Sequence, residues 1–164
     1  MQTIIIILLI LTAGAGGGLY YQGKLSQEGQ PFGLIDGKLA PCPDKPNCVN
    51  SEFTDDTDHF IEPLPWHGSN TTQWVSEVIL QTGGEITQTS NQYISAIYVS
   101  DLFQFVDDVE FRIDTSNKIV QVRSASRVGY GDMNANRNRI EQLNAMYQEV
   151  IRHNQAPTKP GMEK

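Results

Sequence analysis

Val109-Glu110-Phe111-Arg112-Ile113-Asp114 alternates apolar and charged residues, and after Thr115-Ser116-Asn117-Lys118 the alternation resumes in Ile119-Val120-Gln121-Val122-Arg123. A period of two places Val109, Phe111 and Ile113 on one face of a strand. The intervening polar residues read as a turn. A loop centred on Ser116-Asn117 sets Ile113 opposite Val120, Phe111 opposite Val122 and Glu110 opposite Arg123. The last pair is then an outward cross-strand ion pair. A slip of one residue would carry the charges to the apolar face, so this register is favoured.

Working outward, strand-like segments lie at about 85–90, 93–103, 107–114 and 119–128, with a turn at Ser90-Asn91-Gln92. Upstream, Trp74, Val75, Val78 and Ile79 recur at helical spacing. Asn70 with Gln73 reads as an N-cap and capping box, and Gly83-Gly84 as the stop, giving a helix over 71–82. His59-Phe60-Ile61-Glu62-Pro63-Leu64 reads as a short edge strand. A second helix over 136–152 presents Ile140, Leu143, Tyr147, Val150 and Ile151 on one face. The expected fold is α+β: a four-stranded antiparallel meander, plus the edge strand, with both helices on its apolar face. The order β-α-β-β-β-β-α resembles the TATA-binding-protein-like fold, an architectural likeness that assigns no function.

The N-terminal part reads differently. Residues 1–23 carry no charge from Thr3 to Gly23 and contain eight consecutive aliphatics, Ile4 to Leu11. Two readings stay open. One is a signal peptide cleaved near Ala13-Gly14-Ala15; the other is an uncleaved transmembrane anchor with Tyr20 and Tyr21 at the interface. Both imply export, to a cell-envelope location that is anchored or, after cleavage, periplasmic. Residues 24–58, with four prolines, read as an irregular linker and a disulfide loop, and 59–154 as the α+β domain. Residues 155–164 show no pattern and are expected to be disordered.

Cys42 and Cys48 enclose five residues, including Pro43 and Pro46. In an oxidising compartment a disulfide is the default, and closing so short a loop is worth roughly 2–3 kcal/mol. Metal binding or thiol redox chemistry are the alternatives, but the spacing is not C-x-x-C and the loop has no histidine. Asp55, Asp56, Asp58, His59 and Glu62 lack the glycine and spacing of a calcium loop, so a solvated acidic stretch is expected and no metal.

The 164 residues carry a formal net charge of −7, and the pI is about 4.8. A general nucleic-acid partner is therefore not expected. Against that background residues 118–152 hold six basic and three acidic residues. Arg123 and Arg127 are four apart on one strand and point to the same side. Arg137 and Arg139 fall in the first turn of the last helix, where cations oppose the helix dipole unless an anion sits there. Arg123, Ser124, Ser126, Arg127, Asp132, Asn136, Arg137 and Arg139 are thus candidate ligand-binding residues for a phosphate, sulfate or carboxylate group. Asp107, Asp108 and Glu110 are the supporting acids. The competing reading makes the same residues a structural salt-bridge network.

Catalysis has weaker support. Asp107 and Asp108 are adjacent and point to opposite faces of a strand, which spoils a general acid–base pair. Ser124 and Ser126 have no nucleophile elbow, and His59, His67 and His153 are remote in sequence. No P-loop, dinucleotide fingerprint or zincin motif occurs, so no cofactor is expected.

Several separated segments resemble the bacterial domain of unknown function 1499 family. They are Cys42-Pro43, Pro46-Asn47-Cys48-Val49, Phe105-Val106-Asp107-Asp108-Val109-Glu110-Phe111, and Arg123-Ser124-Ala125-Ser126-Arg127-Val128-Gly129-Tyr130, followed by Asp132, Asn136, Arg137, Arg139 and Ile140. The resemblance spans about residues 38–152. It implies an envelope protein behind an N-terminal hydrophobic segment and implies no activity. Asn50 stands where a serine often follows, and Met133-Asn134-Ala135 replaces a more usual Leu-Gly-Val. Neither departure touches the charged positions. The function expected is a non-enzymatic module for an anionic small molecule, a lipid headgroup or an envelope protein. Its rivals are a hydrolase or transferase on an anionic envelope substrate, and a purely structural or assembly role.

Overall fold

The computed structural model describes residues 1–155. The tail expected to be disordered falls, beyond Gln155, on residues outside those described. Helix α1 spans Gln2–Gln27, and strands β1 (Leu34–Ile35) and β2 (Lys38–Leu39) form a small hairpin. Strands β3 (Cys48–Asn50) and β4 (Leu64–Pro65) lead to a 3-10 turn at Gly68–Asn70 and helix α2 (Thr71–Gln81). Four strands follow, β5 (Glu85–Thr89), β6 (Tyr93–Val99), β7 (Val106–Asp114) and β8 (Ile119–Ser126), and helix α3 (Ala135–Gln155) is the last element of the described residues.

The β7–β8 hairpin has the expected register: Ile113 faces Val120, Phe111 faces Val122 and Glu110 faces Arg123. Asp114 holds the turn, its carboxylate accepting from the backbone N–H and side-chain amide of Asn117 at 2.9 Å each. The strands β5 to β8 form the antiparallel meander. Trp74, Val75, Val78 and Ile79 of α2 pack on Val109, Phe111, Val120 and Val122, together with Ile140, Leu143, Tyr147 and Ile151 of α3. Burying each such large side chain is worth about 1.5–3 kcal/mol. Val150 sits at the margin of this cluster.

The strand count and order depart from expectation. The main sheet has six strands, in the order β3-β8-β7-β6-β5, with β4 also paired to β8. Strand β3, which carries no alternation, adds to the outer edge of β8 through Cys48↔Ala125 and Asn50↔Arg123. Leu64 and Pro65 occupy the other end of the same edge. The short strand expected at His59–Leu64 therefore begins only at its last residue, because Phe60 makes just an isolated parallel bridge to Asn50. Strand β6 ends at Val99 rather than near 103: Gln104 takes a positive φ and Ser100 and Phe105 close a turn.

The start of α2 is also corrected. Asn70 makes no side-chain cap, since the preceding 3-10 turn has already put its backbone in the helical region. Thr71 instead reaches backwards: its Oγ1 accepts from the His67 N–H at 2.8 Å and ties the segment before the 3-10 turn to the first residue of α2. At the other end Gly83 has φ +85° and Gly84 N–H returns to Ile79 O at 2.9 Å, a Schellman closure.

The sheet has two covered faces. Odd residues of β7 and even residues of β8 face the helices. Even residues of β7 and Arg123 of β8 carry the charges of the other face, with Asp107 the exception on the helix side, and the β1–β2 hairpin lies across that charged face. The Glu110–Arg123 pair, expected outward, is therefore enclosed, with residue exposures of 0% and 2%. The covering is tied down by polar contacts. Glu52 pairs with Arg112 and accepts the Leu39 N–H, while Asn50 Nδ2 donates to Ala40 O.

Candidate functional site

The candidate residues divide between the two faces of the sheet. On the charged face Glu110 is the hub. Its carboxylate accepts from Tyr93 Oη at 2.6 Å, Gly33 N–H at 2.8 Å and Arg123 Nη1 at 2.9 Å. Burial first, then the hydrogen bond to Glu110 and its charge, push the Tyr93 phenol up, so Tyr93 remains a donor. The Arg123 guanidinium also lies over the Phe32 ring at 5.1 Å. Nearby, Arg127 clamps Asp108 in a bidentate pair, Nε to Oδ2 at 2.9 Å and Nη2 to Oδ1 at 2.7 Å. Its third nitrogen donates to Ser26 O at 3.1 Å, at the C-terminal end of α1, where a cation is favoured.

On the helix face Arg139 donates to Asp107 Oδ2 at 2.7 Å, Asn136 Oδ1 at 2.8 Å and Ser124 Oγ at 3.2 Å, and lies 4.8 Å over Tyr98. Asn136 is buried. Its Nδ2 donates to Asn47 O and Ser126 Oγ at 3.0 Å and to Asp132 Oδ2 at 2.7 Å. Asp132 in turn accepts the Asn136 N–H at 2.8 Å and the Asn134 N–H at 3.0 Å. The anion at the start of α3 is thus the protein's own carboxylate, which offsets the dipole cost of Arg137 and Arg139. Arg137 stands apart and, among the described residues, hydrogen-bonds only to Asp58 O, at 3.4 Å. The eight candidates do not form one pocket.

What is concave is a cleft of about 570 Å³ on the charged face, within the range of small-ligand sites. Of the candidates it takes Arg123, Arg127 and Ser126, with Asp108 beside them. Its other walls are Phe32, Lys45 and Asn47, from residues read in sequence as linker and disulfide loop. The Cys42–Cys48 disulfide, with Cα atoms 5.7 Å apart, closes that loop. Asn47 Nδ2 donates to Gly129 O at 3.2 Å, and the Ser126 N–H donates to Asn47 O at 3.0 Å. His59 braces the loop from behind, Nε2 on Lys45 O at 3.0 Å and Nδ1 on Asp56 at 2.8 Å. Partial burial pulls the imidazole pKa down. The Asp56 and Lys45 hydrogen bonds and the Asp56 and Asp58 charges outweigh it and hold the value above 6.5.

Two features mark this cleft. Among the described residues, Arg123 Nε and Asn47 Oδ1 are buried polar side-chain atoms without a hydrogen-bond partner. Each such atom costs about 1–3 kcal/mol unless something satisfies it, and both residues line the cleft. The cleft also has an uncompensated charge. Arg123 and Arg127 have their carboxylates, while Lys45 forms no ion pair among the described residues. In sequence Lys45 is marked only as part of the loop between Cys42 and Cys48, and Asn47 only within Pro46-Asn47-Cys48-Val49; nothing local shows that they face the arginines.

A second cleft, of about 500 Å³ and mainly apolar, lies between α1 and the β8–α3 loop. Leu19 and Gln22 of α1 line one side and Phe105, Val106, Val128 and Met133 the other. Ser126 and Gly129 line both clefts. Helix α1 is long and apolar enough to cross a membrane. Together with the closed disulfide it fits a signal or anchor and an extracytoplasmic setting.

Comparison with curated proteins gives no match. A family model described as "Protein of unknown function (DUF1499)" matches residues 38–146, which include β3, the disulfide loop from Cys42 and all of the candidate residues. The chain belongs to the DUF1499 family.

Proposed function

We propose that this protein is a non-enzymatic envelope module, exported and held at a membrane by α1, that binds an anionic group in the cleft of Lys45, Asn47, Arg123 and Arg127. The observation that carries the reading is the pair of buried atoms that have no partner among the described residues, Arg123 Nε and Asn47 Oδ1, beside Lys45, whose cation forms no ion pair among them. A phosphate or carboxylate oxygen would accept from the guanidinium and draw in the ammonium. A neighbouring hydroxyl or amine on the same ligand would donate to Asn47. Ser124 and Ser126 are committed to Asn136, so neither is presented as a nucleophile.

Lys45 is exposed, so Lys45→Glu leaves the fold intact. Native mass spectrometry of the full-length protein with glycerol phosphate tests the reading. The wild type should retain the ligand and Lys45→Glu should lose it at an unchanged melting temperature. Equal retention by both would remove the cleft as an anion site. A second reading, a purely structural network, draws on the fact that Arg123, Arg127 and Arg139 each already hold a carboxylate. It predicts no retained ligand in either protein.

A further inference from the structure

We infer that the ligand is an anionic membrane lipid, with its headgroup in the cleft of Lys45, Arg123 and Arg127 and a hydrocarbon chain in the apolar cleft against α1; this rests on the anion-binding reading above. The first support is position. Helix α1 carries no charge before Lys24, so the point where it leaves a bilayer lies near Tyr20 and Tyr21. The domain is fixed to the helix at that level. Gly23 packs so closely on the β6–β7 turn that a Cβ there would sit 1.8 Å from Phe103 O. One turn on, Ser26 is buried and accepts the Val106 N–H at 3.0 Å, and its carbonyl receives Arg127. Leu19, within the apolar run, is a wall of the cleft. The apolar cleft therefore opens where hydrocarbon begins.

The second support is chemistry. At the same end Met133 is 98% exposed and Tyr130 is also exposed, an unfavourable display in water that a lipid surface reverses. The two acids lining the apolar cleft are already satisfied, Asp107 by Arg139 and Asp132 by the start of α3. Ser126 and Gly129 line both clefts, so the apolar cleft adjoins the one that holds the spare cation. A chain on one side of this shared wall and an anion on the other describe one amphiphile. A second copy or an apolar peptide would fill the apolar cleft without using the charge next to it.

Full-length protein in nanodiscs of phosphatidylglycerol or of phosphatidylcholine, released into native mass spectrometry, tests this. The wild type should keep phosphatidylglycerol in preference to phosphatidylcholine. Val128→Trp, which fills the apolar cleft, should lower lipid retention about tenfold or more while glycerol phosphate binding stays as in the wild type. Met133→Asp places a charge at the exposed mouth and should act in the same direction without touching the core. Lys45→Glu should lose both ligands. If both apolar-cleft variants retain phosphatidylglycerol as the wild type does, the lipid inference is overturned and the anion site stands. If Lys45→Glu retains glycerol phosphate and lipid undiminished, the anion site itself is overturned. A dimer mass in place of a lipid adduct would assign the apolar cleft to a second copy and also end the inference.

Discussion

Arg127 holds together three parts of the chain that are distant in sequence: Asp108 on β7, the last turn of α1 through Ser26, and the β8–α3 loop that carries it. Arg127→Ala leaves the Asp108 carboxylate buried without its partner, and should cost about 3–5 kcal/mol in chemical denaturation. Arg137→Ala, at a side chain with one long contact to Asp58 O, should cost less than about 0.5 kcal/mol. The contrast matters because the sequence ranks these two arginines alike. His59 gives a pH dependence. Its folded pKa lies above 6.5, so the folded state holds the proton more tightly than the unfolded chain. That contribution is full below 6.5 and is lost as pH rises through the folded pKa. Amide hydrogen exchange in the 42–48 loop, which His59 braces through Lys45 O, should speed up across that window beyond the intrinsic pH effect. In a His59→Gln variant the excess should vanish.

The elements show where local sequence rules succeed and where context replaces them. The span of α2 follows from its apolar spacing, but its cap does not follow from Asn70. Thr71→Ala strips the His67 N–H of its acceptor at a buried residue and should destabilise the protein by about 1–3 kcal/mol, and Asn70→Ala by much less, read from thermal unfolding of the two variants. The hairpin β7–β8 is legible because one face is apolar and a slip is penalised at every residue. Strand β3 is not legible, since three residues flanked by a disulfide loop carry no period, and only the open edge of β8 makes them a strand. The Cys42–Cys48 bridge is legible from spacing and compartment. Replacing both cysteines with serine should cost roughly 2–3 kcal/mol and release Lys45 and Asn47 before the helix–sheet core loosens. Hydrogen exchange resolved by segment would show that order.

At the scale of the whole molecule, the second layer decides the architecture. An alternating strand predicts one wet face, and here that face is covered by the segment from Gly29 to Glu52, which itself has almost no regular structure. A fragment beginning at residue 59 would bare the Glu110–Arg123 pair and the free edge of β8. It should lack a cooperative unfolding transition, whereas the chain from Gly16 onward should keep one. Calorimetry on the two fragments distinguishes these outcomes. Of the candidate site, the sequence identifies the residue types and the nearness of Arg123 and Arg127, which a period of two sets on one side, although β8 ends at Ser126 rather than near 128 and Arg127 is the first residue beyond it. It splits Asp107 from Asp108 for the same reason, and the structure sends them to Arg139 and Arg127. Sequence by itself thus determined the hairpin register, the spans of α2 and α3, the disulfide and the apolar N-terminal helix, all set by near neighbours and by short-range periodicity. Tertiary structure alone decided that the charged face is buried and that Lys45 and Asn47 line one cleft with Arg123 and Arg127. Those residues are far apart in sequence and are brought together by packing of the whole chain, which no local pattern encodes.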